Sequence, residues 1–319
     1  MPERCYVGID TSNYTTSLAV ANGRGEVVAN LKMPLTVKAG GRGLRQSDAV
    51  FAHVKNLPKL MPELAEVIAD AQVAAIGVSV RPRDAEDSYM PCFLAGEAAA
   101  QYLAAGLRVP VHTFSHQSGH LMAALYSSGA TEALRGRAFG AFHVSGGTTE
   151  MLLVHPNGTD FTVELIGGSA DLHAGQAVDR IGVAMGLSFP CGPAMEALAR
   201  ANTKPIPKPR ISVREGKCNL SGLENLALEL YRQTEDQALT AAFVLRFLSE
   251  TLAKMAEWLR QRYGDLPLLF SGGVMSNRII AAELTRRFRD IFFAEPAFSA
   301  DNAAGIALLC CARAQAKEQ

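Results

Sequence analysis

The chain lacks a cysteine framework, a charge imbalance and an apolar run long enough to span a membrane. Its six cysteines (Cys5, Cys92, Cys191, Cys218, Cys310 and Cys311) are scattered over 319 residues and form no CxxC pair. Neither a zinc knuckle nor a disulfide scaffold is implied, and free thiols fit a reducing cytoplasm. Lys plus Arg and Asp plus Glu each number 31, so the formal net charge is zero. No global field draws the chain to nucleic acid or membrane, and any such surface must be a local patch. No stretch of about 18 uninterrupted apolar residues occurs. The opening Met-Pro-Glu-Arg-Cys has no signal-peptide apolar core, so a cytoplasmic location is expected.

What is present is an apolar content of 48% with 19% charged residues, enough for two domains that each bury a core. Three stretches share a pattern of strand followed by small residues: Tyr6–Ser17, Ala141–Glu150 and Leu268–Arg278. Apolar strands ending in Ser and Gly let backbone N–H groups approach a phosphate chain. Three such turns, two of them opening similar hairpins, predict a duplicated two-lobed α/β fold that clamps a nucleotide. The expected lobes are residues 1–128 and 129–300, with a terminal helix at 301–319 packed on the first and the nucleotide and metal in the cleft between.

The first half reads as strands in 5–33, a helical region over 48–71 broken in two by Pro58 and Pro62, and a buried strand at 74–80. A helix over 91–106, a strand over 109–114 and a helix beginning at Ser115 follow. The second half repeats the opening with strands at 139–144, 150–155 and 161–166. Helices are expected at roughly 171–186 and 193–202, then a Pro-rich loop over 203–219, a long helix over 235–263 and a strand over 266–270. A helix over 277–289, a strand over 291–293 and a helix over 301–316 complete the alternation of an α/β layered protein.

His116-Gln-Ser-Gly-His120 places two imidazoles four residues apart, on one face of a helix and within reach of one metal ion. Asp301 reads either as the third ligand or as a plain N-cap of the last helix. No glutamate accompanies the histidines in HExxH fashion, so a zincin protease is not supported. Ser145-Gly-Gly147 and Ser271-Gly-Gly273 read as phosphate turns, against the alternative of ordinary tight turns. Asp10 ends the first strand, facing phosphate or metal, or serves only as a turn former. Asp171 reads as a cap of the helix it opens. Asp179, inside that helix, is exposed or used, with a ribose hydroxyl as a natural partner. Glu196 lies in the first turn of the next helix, where it also favours the helix dipole. The loop carrying Lys204, Lys208, Arg210, Arg214 and Lys217 is the one basic cluster, read as a solvated loop or an RNA-backbone contact.

In order and over nearly the whole length, these pieces resemble the tRNA threonylcarbamoyladenosine transferase family, whose members were formerly described as O-sialoglycoprotein endopeptidases. Gly8-Ile-Asp10-Thr11-Ser12 is similar to its opening phosphate motif, His116 and His120 to its HxxxH pair, and Asp301-Asn-Ala-Ala304 to its terminal metal aspartate. Val144-Ser145-Gly146-Gly147 is similar to its second glycine loop. Ala174–Arg180 and Gly186–Pro193, with Asp179 and Gly192, resemble its nucleotide segment. Ser271-Gly272-Gly273-Val-Met-Ser-Asn277 resembles its adenosine loop. The resemblance implies the actin/Hsp70/sugar-kinase (ASKHA) type of fold with duplicated ββαβ-type lobes. It implies transfer of a threonylcarbamoyl group from its adenylate to N6 of the adenosine beside the tRNA anticodon, with Asp10 and Asp301 as catalytic candidates. It also implies one divalent metal (iron or zinc) on His116, His120 and Asp301, an ATP, AMP or threonylcarbamoyl-AMP ligand, and tRNA and the bacterial threonylcarbamoylation subunits as partners.

Four departures stand out. Asn13-Tyr-Thr-Thr16 replaces an acidic pair, and Thr148 a histidine. Arg81–Tyr89 replaces a glycine-rich segment, and Glu224 in Ser221-Gly-Leu-Glu224 reverses a lysine. The expectation is a divergent member or paralogue that keeps the nucleotide and metal site. A related carbamoyltransferase with another acceptor and a non-catalytic nucleotide-binding scaffold are the competing readings.

Overall fold

The computed structural model describes residues 2–36 and 44–318. The chain divides into two compact units, Met1–Ser127 with Pro156–Thr162 and Ala297–Gln319, and Ser128–His155 with Val163–Pro296.

The first unit opens with three antiparallel strands, β1 (Glu3–Ser12), β2 (Thr15–Asn22) and β3 (Val27–Pro34). Helix α1 (Gln46–Val67), strand β4 (Ala71–Arg81), helix α2 (Phe93–Leu107), strand β5 (Val111–Ser115) and helix α3 (His116–Ser127) follow. The sheet order is β3-β2-β1-β4-β5, with β4 parallel to both β1 and β5. Strand alternation sorts the side chains between two faces. Val7, Ile9, Leu18, Val20, Ile76 and Val78 form one core with Leu57, Leu60 and Leu64 of α1 and with α2. Helix α1 is continuous across Pro58 and Pro62, where a break was expected. Both prolines lie on the exposed side, so the carbonyls left without a partner reach water, while His53, Leu57, Leu60 and Leu64 hold the opposite side in place.

The second unit repeats the strand order. Strands β6 (Phe139–Val144), β7 (Thr149–Asn157) and β8 (Asp160–Ser169) precede helices α4 (Ala174–Ala184) and α5 (Gly192–Ala201). Two-residue strands β9 (Val213–Arg214) and β10 (Lys217–Cys218) lie inside the segment expected to be loop. Helix α6 (Ser221–Thr234), helix α7 (Gln237–Tyr263), strand β11 (Leu268–Ser271), a 3₁₀ turn at Gly273–Ser276, helix α8 (Arg278–Arg287) and strand β12 (Ile291–Phe293) complete it. The order β12-β11-β6-β7-β8-β10-β9 contains the mirror of β3-β2-β1-β4-β5, extended by one small hairpin. Phe142, Phe270 and Phe293 stack across β6, β11 and β12, with centroids 4.7 and 5.2 Å apart. The chain turns at Glu235, which adopts φ 50°, and Asp236 caps α7 by accepting from the Leu239 N–H. The long helix therefore starts at Gln237, after a separate α6 that the sequence reading missed.

The chain then returns to the first unit through α9 (Pro296–Ser299) and α10 (Ala304–Ala316). Helix α10 starts three residues later than expected, with Ala303 in the N-cap position in place of Asp301, and the Oδ1 of the preceding Asn302 accepts from the Ala304 N–H at 3.0 Å. The sheet face under α10 carries small residues, Gly8, Ala19, Ala21, Ala75 and Gly77. A Cβ on Gly8 would lie 2.5 Å from the Ala303 carbonyl and the Ala307 N–H. The absence of side chains thus lets the helix backbone rest on the sheet. Cys310 and Cys311 are buried here, and burial pushes both thiols up.

Candidate metal centre and nucleotide pocket

Helix α3 begins where β5 ends, which puts His116 in its first turn and His120 one turn later, ring centroids 4.3 Å apart. Helix α10 packs on α3 where Gly119 and Gly305 meet backbone to backbone. A Cβ on Gly305 would overlap the Gly119 carbonyl, and one on Gly119 would sit 2.8 Å from Ile306 Cδ1. That close approach brings the loop ahead of α10 over the imidazoles. Asp301 Oδ1 lies 3.3 Å from His120 Nε2 and 3.6 Å from His116 Nε2.

These are the three donors that a metal needs, within 4.8 Å of one another. Bonds of about 2.0–2.1 Å to one tetrahedral ion place donor atoms about 3.3 Å apart, close to the 3.3 and 3.6 Å that separate Asp301 from the two histidines. The donor chemistry, two imidazole nitrogens and a carboxylate oxygen, fits zinc or iron(II). Side-chain exposures of 18–25% leave an open side for a further ligand.

Behind the cluster, Asp10 is wholly buried. Its Oδ1 accepts from the Ser79 hydroxyl at 2.5 Å and faces His116 Nδ1 at 2.9 Å. With the Nδ1 proton directed at Asp10, displacement of the Nε2 proton would leave that nitrogen's lone pair toward Asp301 and an ion. Burial disfavours the His116 cation, but Asp10 and Asp301 outweigh it and hold the ring at about 10 without an ion. Burial likewise opposes the charge of Asp301, yet the two histidines hold its carboxyl well below the usual carboxylate range. Asp10 is thus held between Ser79 and His116. Thr11 is spent locally, donating to the Cys92 carbonyl and accepting from the Gly96 N–H at the start of α2. The buried Ser12 Oγ has no hydrogen-bond partner among the described residues.

The second unit holds a cavity of about 350 Å³ lined by Gly146, Gly175, Asp179, Gly192, Glu196, Gly273 and Asn277, with Val178, Leu245 and Ile280 as its apolar wall. Asp179 accepts from the Cys191 N–H at 2.8 Å. Asn277 caps α8 through its oxygen, accepting from Ile279 and Ile280. Glu196 Oε2 accepts from the Arg278 N–H. The start of α4 abuts the 145–148 turn, where the Gly175 N–H donates to the Ser145 carbonyl and a Cβ on Gly175 would lie 2.7 Å from Gly146 Cα. Val144, Ser145, Gly147 and Gly272 do not line the cavity. Gly272, at φ 97°, packs against the Val144 backbone. Asp171 caps α6 and not its own helix, accepting from Leu220 and Ser221, because it lies in a bend after β8 and α4 is capped by His173.

Among the departures, Asp84 ties the 81–89 segment to α3. It receives Arg81 on Oδ1 and the Ser115 and Ser118 hydroxyls on Oδ2. Glu224 is paired with Arg180 at 3.2 Å. Lys204 is paired with Asp236, whereas Lys208 and Arg210 are exposed. No helix among the described residues is long and apolar enough to cross a membrane.

Two sheets of repeated strand order define a protein of the actin/Hsp70/sugar-kinase (ASKHA) fold. Full-length HypF in a phosphate- and nucleotide-bound form superposes with a TM-score of 0.59 at 12% identity, covering 100% of this chain and 56% of that one. The (R)-2-hydroxyglutaryl-CoA dehydratase component A of Acidaminococcus fermentans gives 0.53 at 14%, covering 98% and 99%. A ROK family glucokinase from Streptomyces griseus, with glucose and AMPPNP, gives 0.51 at 12%, covering 96% and 99%. At such identities the likeness is one of fold, and the chain spans little more than half of that HypF. Residues 35–308 match the TsaD family, tRNA N6-adenosine threonylcarbamoyltransferase, and the chain belongs to that family. Membership supports a carbamoyltransferase-type enzyme that binds nucleotide and metal. The matched span contains both histidines, Asp301 and every cavity residue, while Asp10 lies before it.

Proposed function

We propose that the protein transfers a threonylcarbamoyl group from threonylcarbamoyl-AMP to N6 of the adenosine beside the tRNA anticodon. The observation that carries this reading is the convergence of His116, His120 and Asp301 on one point, with Asp10 fixing the His116 tautomer, in a chain of the TsaD family. His116 and His120 would hold the ion through Nε2 and Asp301 through Oδ1. Such an ion supplies Lewis acidity toward a carbonyl or phosphoryl oxygen. The chain's own groups do the rest. Asp10 keeps the Nδ1 proton in place. In the second unit, the Asp179 carboxylate and the Asn277 amide would fix the ribose and base of the adenylate, and the apolar wall would exclude water from the base. The N–H groups of the Gly146 turn would face its phosphate.

A second reading is favoured by one observation. Asp84 locks the unusual 81–89 segment onto the start of α3, next to His116. An altered wall beside the metal suits a carbamoyltransferase paralogue with another acceptor. Incubating the protein with threonylcarbamoyl-AMP and either unmodified tRNA or a panel of small amine and alcohol acceptors, with and without bacterial partner subunits, separates the two by mass spectrometry. Threonylcarbamoyladenosine in the tRNA digest is the expected result. A modified small acceptor with unmodified tRNA would give the second reading, and no product in any combination would contradict both.

A further inference from the structure

A second concavity of about 700 Å³, larger than the nucleotide cavity, lies on the second unit between α5, α7 and α8. Arg200, Arg246, Arg278, Arg286 and Arg287 line it, and Ile206 of the Pro-rich loop forms part of its wall. The carboxylates paired with these guanidinium groups are fewer. Glu196 takes Arg200, Glu250 takes Arg246, and Glu283 takes both Arg286 and Arg287. The groove keeps an excess of two positive charges in a chain whose net charge is zero. A guanidinium has five donors, so one bound to a single carboxylate oxygen still has N–H groups to offer an anion. The wall loop is tied in place by Arg246, which donates to the Ile206 carbonyl at 2.9 Å, and it carries the exposed Lys208 and Arg210.

The groove and the nucleotide cavity share a wall. Glu196 lines the cavity, receives Arg200 on Oε1 and receives the Arg278 N–H on Oε2. We propose that this arginine groove binds the phosphodiester backbone of the RNA acceptor, holding the strand alongside the nucleotide cavity. This rests on the reading that the acceptor is RNA. The position favours a polynucleotide over an acidic protein segment, because the groove adjoins the cavity proposed for the adenylate. The bulk of the phosphate contact then falls to the groove arginines. Of the loop cations, Lys204 is committed to Asp236.

The test is fluorescence anisotropy of labelled, unmodified tRNA with the full chain and its Arg286→Gln/Arg287→Gln variant, at 50 and 200 mM salt. These two residues sit in the last turn of α8, with side chains 71% and 31% exposed, and melting curves report whether the variant folds. The wild type is expected to bind with steep salt dependence. The variant is expected to bind about tenfold more weakly at 50 mM salt, with a log–log slope shallower by about 1.4–1.8 for two lost phosphate contacts. Equal affinity and slope in a folded variant would overturn the groove, and tRNA modification by the wild type in the same preparation would leave the RNA reading standing. Neither binding nor modification by the wild type would bring both down. Displacement of the tRNA by polyglutamate at equal charge concentration would give the groove to an acidic protein partner and overturn the proposal.

Discussion

His116 faces two carboxylates, and each of its ring nitrogens has a separate task. Nδ1 is fixed by Asp10, itself held by Ser79, so Nε2 is aimed before any ion arrives. Replacing both imidazoles in His116→Ala/His120→Ala should reduce bound metal to background in elemental analysis, and full occupancy in that variant would refute the ligand set. Asp10→Ala leaves the ligands in place but unties the ring. Metal affinity measured by competition with a chelator should fall about 10–100-fold, as for other groups behind metal ligands. An unchanged affinity would make Asp10 a mere packing residue. The histidine pair was legible because four-residue spacing on a helix has one geometric meaning. Asp301 was legible only with an alternative, since a carboxylate before a helix reads equally well as a cap. Asn302 accepts from the first helical N–H, and no local rule says which of two adjacent residues will. The support from Ser79 was not legible at all, since it depends on β4 lying next to β1 in register.

Elements reach their places here through small residues and caps. Gly8→Val would drive a branched side chain into the backbone of α10, where even a Cβ meets Ala303 and Ala307 at 2.5 Å. Overpacking costs about 1–3 kcal/mol, and a clash with backbone falls at the upper end. A lowered melting temperature is expected, and an unchanged one would contradict the close contact between helix and sheet. Asp171 receives the N–H groups of Leu172, Leu220 and Ser221 and the Ser221 hydroxyl. Burial opposes its charge, but these donors hold the carboxyl below the usual range. A lowered folded value means the stabilisation is present above the unfolded value of about 3.9 and fades as pH falls through the folded one. Asp171→Ala should cost about 1 kcal/mol in urea unfolding at pH 7, at the low end for charged hydrogen bonds because the side chain is solvent-screened. The difference from wild type should shrink progressively below pH 4, and a difference that grows there would reverse the assignment. Most strands and helices could be read from periodicity. Helix α6 and the true role of Asp171 could not, because the cap and the helix it serves are about 50 residues apart in the chain.

At the scale of the molecule, the repeated strand order explains why one sequence pattern occurs twice. A strand, a turn of small or hydroxyl-bearing residues and a second, antiparallel strand recur at Tyr6 and at Ala141, and in each sheet the first of these strands has a parallel neighbour on its other side. That duplication was readable from the small residues that end the strands. The β9–β10 hairpin, which extends the second sheet, was not, because two-residue strands carry no periodicity. The side chains proposed for chemistry fall into two groups, a histidine–aspartate cluster in one unit and a nucleoside-sized cavity in the other, and a carbamoyl transfer from an adenylate has use for both. The central claim is that this chain carries out that transfer on tRNA through Asp301 and the histidine pair. Single-turnover transfer from threonyl-labelled threonylcarbamoyl-AMP to unmodified tRNA, with metal content recorded for wild type and Asp301→Ala, tests it most directly. The account predicts label in the tRNA with the metal-loaded wild type and at least a hundredfold slower transfer with the metal-poor variant, about 2.7 kcal/mol in barrier. Equal transfer by both proteins, or none by a metal-loaded wild type supplied with its partner subunits, would contradict it.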